Sequence, residues 1–198
     1  MTPSSNTPSS ASDQFSWTSV IAILITSSAY AVIRYSFFGP VSVEHWPSYI
    51  TNKAISVFAV SLLALSAWNY MKGRNECSRI QGRLVWHAAL IHSGLSLALL
   101  KTDYYPAFFS LKGMSVMGEL VLVLGIVGTY ALWQIPHHKG INHHRFKQLA
   151  CALTLLHLLP MSSNWFGIGS WYGYMPPLSL ISAIFASTAL LLYWRYRS

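Results

Sequence analysis

The sequence predicts an all-α fold, an integral membrane six-helix bundle with its N- and C-termini in the cytoplasm. Of the 198 residues, 53% are hydrophobic and only 9% are charged, whereas about a quarter of the residues of a soluble domain are charged. Residues 148–194 contain no Asp, Glu, Lys or Arg, a stretch long enough for two membrane-spanning helices of about 20 residues each. Lys and Arg also gather between alternate apolar stretches, as the positive-inside rule predicts for short cytoplasmic loops.

Six apolar stretches are predicted to span the membrane, with short loops between them: 15–37, 50–70, 83–101, 114–134, 145–162 and 176–195. Residues 1–14, MTPSSNTPSSASDQ, are predicted to be a disordered tail because Ser and Pro dominate there. The tail contains no Lys or Arg and so lacks the positive region of a cleaved signal. We therefore expect the first helix to stay in the mature protein, and residues 15–198 to form one six-helix transmembrane domain.

The positively charged residues predict the orientation. Most of them lie on one side, which is predicted to be cytoplasmic: Lys72, Arg74, Arg79, Arg83, Lys139, Arg145, Lys147, Arg195 and Arg197. The helix ends on the other side carry Arg34, Lys53, Lys101 and Lys112. The net charge of +8 is then a topology signal and a contact with lipid headgroups, and nucleic acid is not an expected partner. These features predict an integral membrane protein.

Two histidines are predicted to lie deep in the membrane, where ionisable side chains are costly and usually functional. His92 follows Arg83 by nine residues and His157 follows Lys147 by ten, so both lie about 14 to 15 Å from the cytoplasmic charges. The third and fifth helices are parallel and offer one imidazole each at this height. The pair predicts axial ligation of haem b, and no CxxCH is present for covalent attachment. The alternative is that each histidine only hydrogen-bonds a neighbouring helix.

The sequence leaves open whether one haem or two are bound. His144 precedes His157 by thirteen residues, which is nearly four helical turns, so it lies on a similar face near the cytoplasm and could ligate a second haem. A partner for His144 is difficult to identify, because His87 lies five residues before His92 and points about 140° away from it. The alternatives are that His144 reaches water at the interface and that His87 only packs or hydrogen-bonds.

On the predicted outer side, two kinds of polar residue are candidates for the haem site. Lys53, with Arg34 or Lys101, could meet a haem propionate; the alternative is that Lys53 anchors at the headgroups. Glu119 could carry a proton or bond a haem ligand. The alternative is that Glu119 is only an acidic residue in the first turns of the fourth helix, where the helix dipole favours a negative charge.

On the predicted inner side, Arg79, Arg83 and Arg145 could bind the propionates of a second haem or dock an acidic partner. The alternative is that these are ordinary positive-inside residues. The segment HHKGINHH does not have the spacing of a closed zinc site. It is predicted to be a solvated basic loop that touches lipid headgroups.

Five stretches resemble one family of membrane haem proteins: YITNKAISVFAVSLLALS, SRIQGRLVWHAALIH, GMSVMGELVLVLGIVG, HHRFKQLACALTLLH and MPPLSLI. Through them the chain resembles, over about residues 42–195, the ferric reductase-like transmembrane family. That family includes the haem-binding membrane subunit of the periplasmic methionine sulfoxide reductase system. An Arg followed some thirteen positions later by a mid-helix His is matched by Arg79 and His92, and two His separated by twelve residues are matched by His144 and His157.

The resemblance implies a b-type cytochrome of the bacterial inner membrane type that carries electrons across the membrane, an oxidoreductase component related to ferric reductases. We expect electrons to pass from a cytoplasmic flavoprotein or a quinol, through bis-histidine haem, toward an acceptor on the outer side. No GxGxxG follows a strand pattern, so a flavin or nicotinamide reductase would be a separate protein. Two other functions stay open. One is a small proton or metal transporter that uses His92, His157 and Glu119, and the other is a non-catalytic membrane subunit that assembles a partner complex.

Overall fold

The computed structural model describes residues 15–111 and 113–195. The predicted disordered tail, residues 1–14, lies outside the described residues. The described residues form six long helices: α1 Trp17–Val32, α2 Thr51–Met71, α3 Asn75–Ala98, α4 Val116–Gln134, α5 Gly140–Leu158 and α6 Leu178–Arg195. A small antiparallel hairpin of β1 Phe109–Ser110 and β2 Gly113–Met114 precedes α4. The predicted all-α, six-helix character is therefore confirmed.

Within the part of the chain that the structure describes, four helical segments, which contain α1, α2, α4 and α6, are long and apolar enough to cross a membrane: Trp17–Phe37, Val43–Met71, Val116–His137 and Tyr172–Arg195. Many large apolar side chains on these helices face outward; Ile25 is 62% exposed and Leu191 is 68% exposed. Apolar surface of this extent is unfavourable in water and favourable against lipid tails. The chain is a helical membrane protein in contact with lipid.

The helices α3 and α5 begin earlier than the sequence predicted, at Asn75 rather than residue 83 and at Gly140 rather than residue 145. The prediction began each helix at its charged residues, but the first turns of α3 are amphipathic. Arg79 is exposed on one face while Ser78 and Gln81 are buried on the other. A helix can therefore continue past the charges, because they lie on the face turned away from the packed interior.

Five of the helices form a closed ring. Each packs on the next in the order α2, α3, α4, α5, α6, and α6 packs back on α2. The remaining helix, α1, packs on the outside of the ring against α2. Small residues in α2 and α6, such as Ala67, Ala186 and Ala189, are fully buried and allow the helices to approach closely. In this ring α3 and α5 lie across from each other, separated by α4 on one side and by α2 and α6 on the other.

The two ends of the bundle differ. At one end, here called the long-loop end, the segments 33–50, 99–115 and 159–177 join the helices; these are longer than the short loops that the sequence predicted. They contact one another, since the Arg34 guanidinium donates to the Met175 carbonyl and the Tyr104 hydroxyl lies 3.1 Å from His45 Nδ1. At the other end, here called the short-loop end, only residues 72–74 and 135–139 join helices.

The half of the bundle near the short-loop end is closed by packing. Ser66 on α2 donates to the main-chain carbonyl of Ser78 on α3 at 3.0 Å, and Asn69 Nδ2 donates to Gln81 Oε1 at 2.9 Å. These buried bonds hold α2 against α3, and Tyr193 of α6, only 1% exposed, fills the space beside them. The free interior space described below lies toward the long-loop end.

Candidate functional site: a cavity between two histidines

A cavity of about 490 Å³ lies inside the ring of helices and is called the ring cavity here. Side chains from all five ring helices line it. It reaches Tyr105 and Tyr172 at the long-loop end and Leu63 and Val85 at its other end. Its polar lining residues on the helices include Lys53, Ser56, His92, Ser93, Ser96, Thr129, Thr154, His157, Ser179 and Ser182. The volume falls in the range of about 300–1,000 Å³ that is usual for cofactor and ligand sites.

His92 lines the ring cavity from α3. Its Nδ1 lies 2.6 Å from Asn52 Oδ1 on α2, so the Nδ1–H donates to the amide carbonyl. In this tautomer Nε2, on the far side of the ring, carries a lone pair and can bind a metal. The Asn52 amide nitrogen in turn donates to Ser96 Oγ at 3.0 Å and to the Tyr105 hydroxyl at 2.9 Å.

The Tyr105 phenol is the outermost group of this network. Burial raises the pKa of Tyr105 above its usual value, while its hydrogen bonds with Asn52 and Ser96 lower it. Because burial is the larger effect, the phenol is neutral at physiological pH and can accept the Asn52 N–H. The network thus connects His92 to the long-loop end through neutral groups only.

His157 lines the same cavity from α5. Its Nδ1 lies 2.7 Å from the main-chain carbonyl of Val121 on α4, which again leaves Nε2 as the nitrogen with the lone pair. The close approach of α4 depends on Gly125, because a Cβ at that position would lie 3.1 Å from both Cε1 and Nδ1 of His157. The two histidines that the sequence predicted to be level are therefore brought to one cavity with the same tautomer.

Two cations lie at the long-loop end of the ring cavity. Lys53 Nζ lies 5.1 Å from the ring centre of Tyr49 and 5.0 Å from that of Tyr105. Arg34 is only 5% exposed; its guanidinium donates to the Met175 carbonyl and contacts the Tyr35 ring. None of the described residues that line the cavity is Asp or Glu. This end is therefore electropositive, and an anionic group of a ligand would offset the cost of burying two cations that have no carboxylate among the described lining residues.

A second pocket of about 460 Å³ lies at the long-loop end and is called the loop-end pocket here. Tyr35 and Tyr172 line both this pocket and the ring cavity. Lys101 lines the loop-end pocket and lies 3.6 Å from Asp103. Of the candidate propionate partners, Lys53 and Arg34 therefore line the ring cavity, whereas Lys101 has a carboxylate partner outside it.

The residues considered for a second haem do not line the ring cavity. His144 is buried between the rings of Tyr70 and Tyr193, each at a centroid distance of 6.4 Å. Arg79 forms an exposed ion pair with Glu76. His87 is exposed on α3, and its Nδ1 lies 2.7 Å from the Arg83 carbonyl.

Glu119 and the histidine-rich segment also lie apart from the ring cavity. Glu119 is exposed in the first turn of α4. In HHKGINHH, the Nδ1 atoms of His137 and His143 lie 2.9 Å and 2.8 Å from the main-chain carbonyls of Trp133 and Ile135. Within residues 15–111 and 113–195, no three His, Cys, Asp or Glu side chains come together as a metal site.

Asn52, Tyr105 and Gly125 belong to the site but were not predicted from the sequence. Asn52 could have been noticed as an amide in an otherwise apolar helix, since polar residues inside a membrane usually have a partner. Gly125 could have been noticed as a small residue that allows close helix packing. Neither signal identifies the histidine that each residue contacts.

No protein-family model matches this sequence, and a search of the curated proteins finds no relative of it. The resemblance to the ferric reductase-like family therefore stays a prediction that depends on the motifs quoted above. What the chain does is inferred from the ring cavity and its residues.

Proposed function

We propose that this chain is a six-span membrane cytochrome in which His92 and His157 ligate one haem b. The ring cavity carries this proposal, because both imidazoles line it and each has its Nδ1 in a hydrogen bond, which leaves Nε2 for iron. Metal-binding histidines usually donate their other ring N–H to a carbonyl or carboxylate in this way. Bound haem b would supply a one-electron couple, and the His92 and His157 imidazoles would hold its iron.

The charges at the long-loop end support the same ligand. Lys53 and Arg34 line the cavity, and none of the described residues that line it is acidic. The haem propionates are anions that would pair with these two cations. The apolar part of the lining, such as Leu63, Val85 and Leu132, suits the porphyrin edge. Lys53 and Arg34 would thus orient the ligand with its propionates toward the long-loop end.

The positive-inside rule gives the proposed orientation. Lys72, Arg74 and Lys139 lie in the two connections of the short-loop end, so we assign that end to the cytoplasm of a bacterial inner membrane, with both termini there. The long-loop end then faces outward. The protein would relay electrons from a cytoplasmic flavoprotein or a quinol toward an outer acceptor, and the loop-end pocket lies beside the cavity wall where such an acceptor could approach.

A second candidate function is a small proton or metal transporter. The hydroxyl groups of Ser56, Ser93, Thr129 and Ser182 line the ring cavity, and hydroxyl-lined cavities also suit water and ions. This function predicts a colourless protein. The haem proposal and the transporter proposal are therefore separated by the absorption spectrum.

The test is the haem content of purified histidine variants, measured by pyridine haemochrome and by reduced-minus-oxidised spectra. His92→Ala and His157→Ala are expected to lose low-spin haem b. His87→Ala is the matched control, since His87 lies on the same helix but is exposed, and it should keep the wild-type haem content. His144→Ala should leave at least one haem. Full haem in both His92→Ala and His157→Ala would exclude this ligand pair.

A further inference from the structure

Asn52 is an amide side chain buried completely in the first turns of α2, with 0% exposure. It has a partner on each side: its Oδ1 lies 2.6 Å from His92 Nδ1, and its Nδ2 donates to Ser96 Oγ and to the Tyr105 hydroxyl. A buried amide whose hydrogen bonds are all satisfied is held in one orientation. Asn52 thus connects α2, α3 and the segment 99–115 at the position of one proposed haem ligand.

The two proposed ligands differ in how their tautomers are fixed. His157 donates to a main-chain carbonyl of α4, and no side-chain substitution can change the charge of that acceptor. His92 donates to a side chain. Ser96 and Tyr105 are hydroxyls that can either donate or accept, so they can satisfy either an amide or a carboxylate at position 52. A substitution at position 52 can therefore change the acceptor of the His92 Nδ1–H, whereas no substitution can change the charge of the acceptor of His157.

We propose that Asn52 is a positioning residue that holds His92 with its proton on Nδ1 and thereby sets the reduction potential of the haem; this inference rests on the proposed function. An acceptor on Nδ1–H raises the electron density at Nε2, which strengthens the bond to ferric iron more than the bond to ferrous iron. A neutral amide does this weakly and a carboxylate strongly. The chain uses the weaker acceptor, which keeps the potential higher.

The first variant tests the effect of charge. Asn52→Asp has nearly the same shape, and the hydroxyls of Ser96 and Tyr105 can turn to donate to the new carboxylate. We expect the low-spin spectrum to be kept and the preference for ferric over ferrous haem to rise about tenfold, which lowers the midpoint potential of a one-electron couple by about 59 mV. The measurement is a spectroelectrochemical titration of the purified protein.

The second variant removes the hydrogen bond. Asn52→Leu leaves the His92 tautomer unfixed, so we expect haem transfer to apomyoglobin to be about 10–100-fold faster, the usual effect of losing such a partner. The electron paramagnetic resonance spectrum of the oxidised protein should then show more than one low-spin species. The matched control is Asn69→Leu, which removes another buried α2–α3 amide bond, that of Asn69 with Gln81, away from the ring cavity. That control is expected to keep the wild-type potential and haem transfer rate.

The outcomes separate this inference from the proposed function. If wild-type protein from haem-replete cells contains no haem, the proposed function fails and the inference fails with it. If wild-type protein binds haem but Asn52→Asp has the same potential as wild type, only the role of Asn52 is overturned. Equal potential shifts in the Asn52→Asp and Asn69→Leu variants would also overturn it, because the shift would then come from general destabilisation.

Discussion

Gly125→Ala is the substitution that most sharply tests the position of His157. An alanine Cβ at this position would lie 3.1 Å from both Cε1 and Nδ1 of His157, whereas nonbonded carbon atoms are stable at about 3.5–4.0 Å. The imidazole must therefore move by a few tenths of an ångström. That displacement acts directly on the bond of 2.7 Å between His157 Nδ1 and the Val121 carbonyl.

The expected loss is large enough to measure. Losing the partner of a metal-binding histidine lowers metal affinity by about 10–100-fold, which corresponds to about 1.4–2.8 kcal/mol. Alanine is also a better helix former than glycine by about 1 kcal/mol, so the helix itself should not be weakened. Haem binding is therefore expected to fall although the fold is kept.

The assay is the rate of haem transfer from the detergent-purified protein to apomyoglobin. The matched control is Gly128→Ala, one turn away on the same helix, where the added Cβ would meet only Leu153 Cβ at an ordinary 3.6 Å. We expect Gly125→Ala to lose haem about 10–100-fold faster and Gly128→Ala to resemble the wild type. Equal transfer rates in the two variants would refute the contact between Gly125 and the ligand.

Two further predictions concern the long-loop end and the orientation. Lys53→Met should weaken haem binding by about tenfold or more, since a hydrogen bond to a charged group contributes about 1.5–3 kcal/mol. Lys101→Met removes a lysine already paired with Asp103 and should keep the wild-type haem affinity. The measurement is a haem titration of both apoproteins, and similar affinities in the two variants would exclude a propionate at Lys53. The orientation is tested with single cysteines and a membrane-impermeant maleimide. The cysteine of Leu111→Cys, at a fully exposed position, should react in intact cells. The cysteine of Lys139→Cys should react only after permeabilisation. The reverse labelling pattern would contradict the proposed topology.

The sequence predicted the helices and the two central histidines because both depend on properties of single segments. Apolar length predicts a helix that can span a membrane, and counting residues from the nearest charge predicts the depth of a side chain. Those rules were sufficient to select His92 and His157, which the structure brings to one cavity. Helix starts were less well predicted, because α3 continues through charged residues that lie on an exposed face.

The partners of the histidines could not be predicted, because they depend on which helices become neighbours. Asn52 contacts His92 because α2 packs on α3, and Gly125 contacts His157 because α4 packs on α5. Spacing within one helix says nothing about either contact. The same reason applies to His144, which the sequence placed on the same face as His157 but which packs between Tyr70 and Tyr193.

The most direct test of the haem proposal is the reduced-minus-oxidised absorption spectrum of wild-type protein purified from haem-replete cells, with haem counted per chain. We expect a low-spin b-type spectrum and one haem per chain, bound between His92 and His157. A colourless protein would contradict the cytochrome function and favour a transporter or a non-catalytic assembly subunit instead.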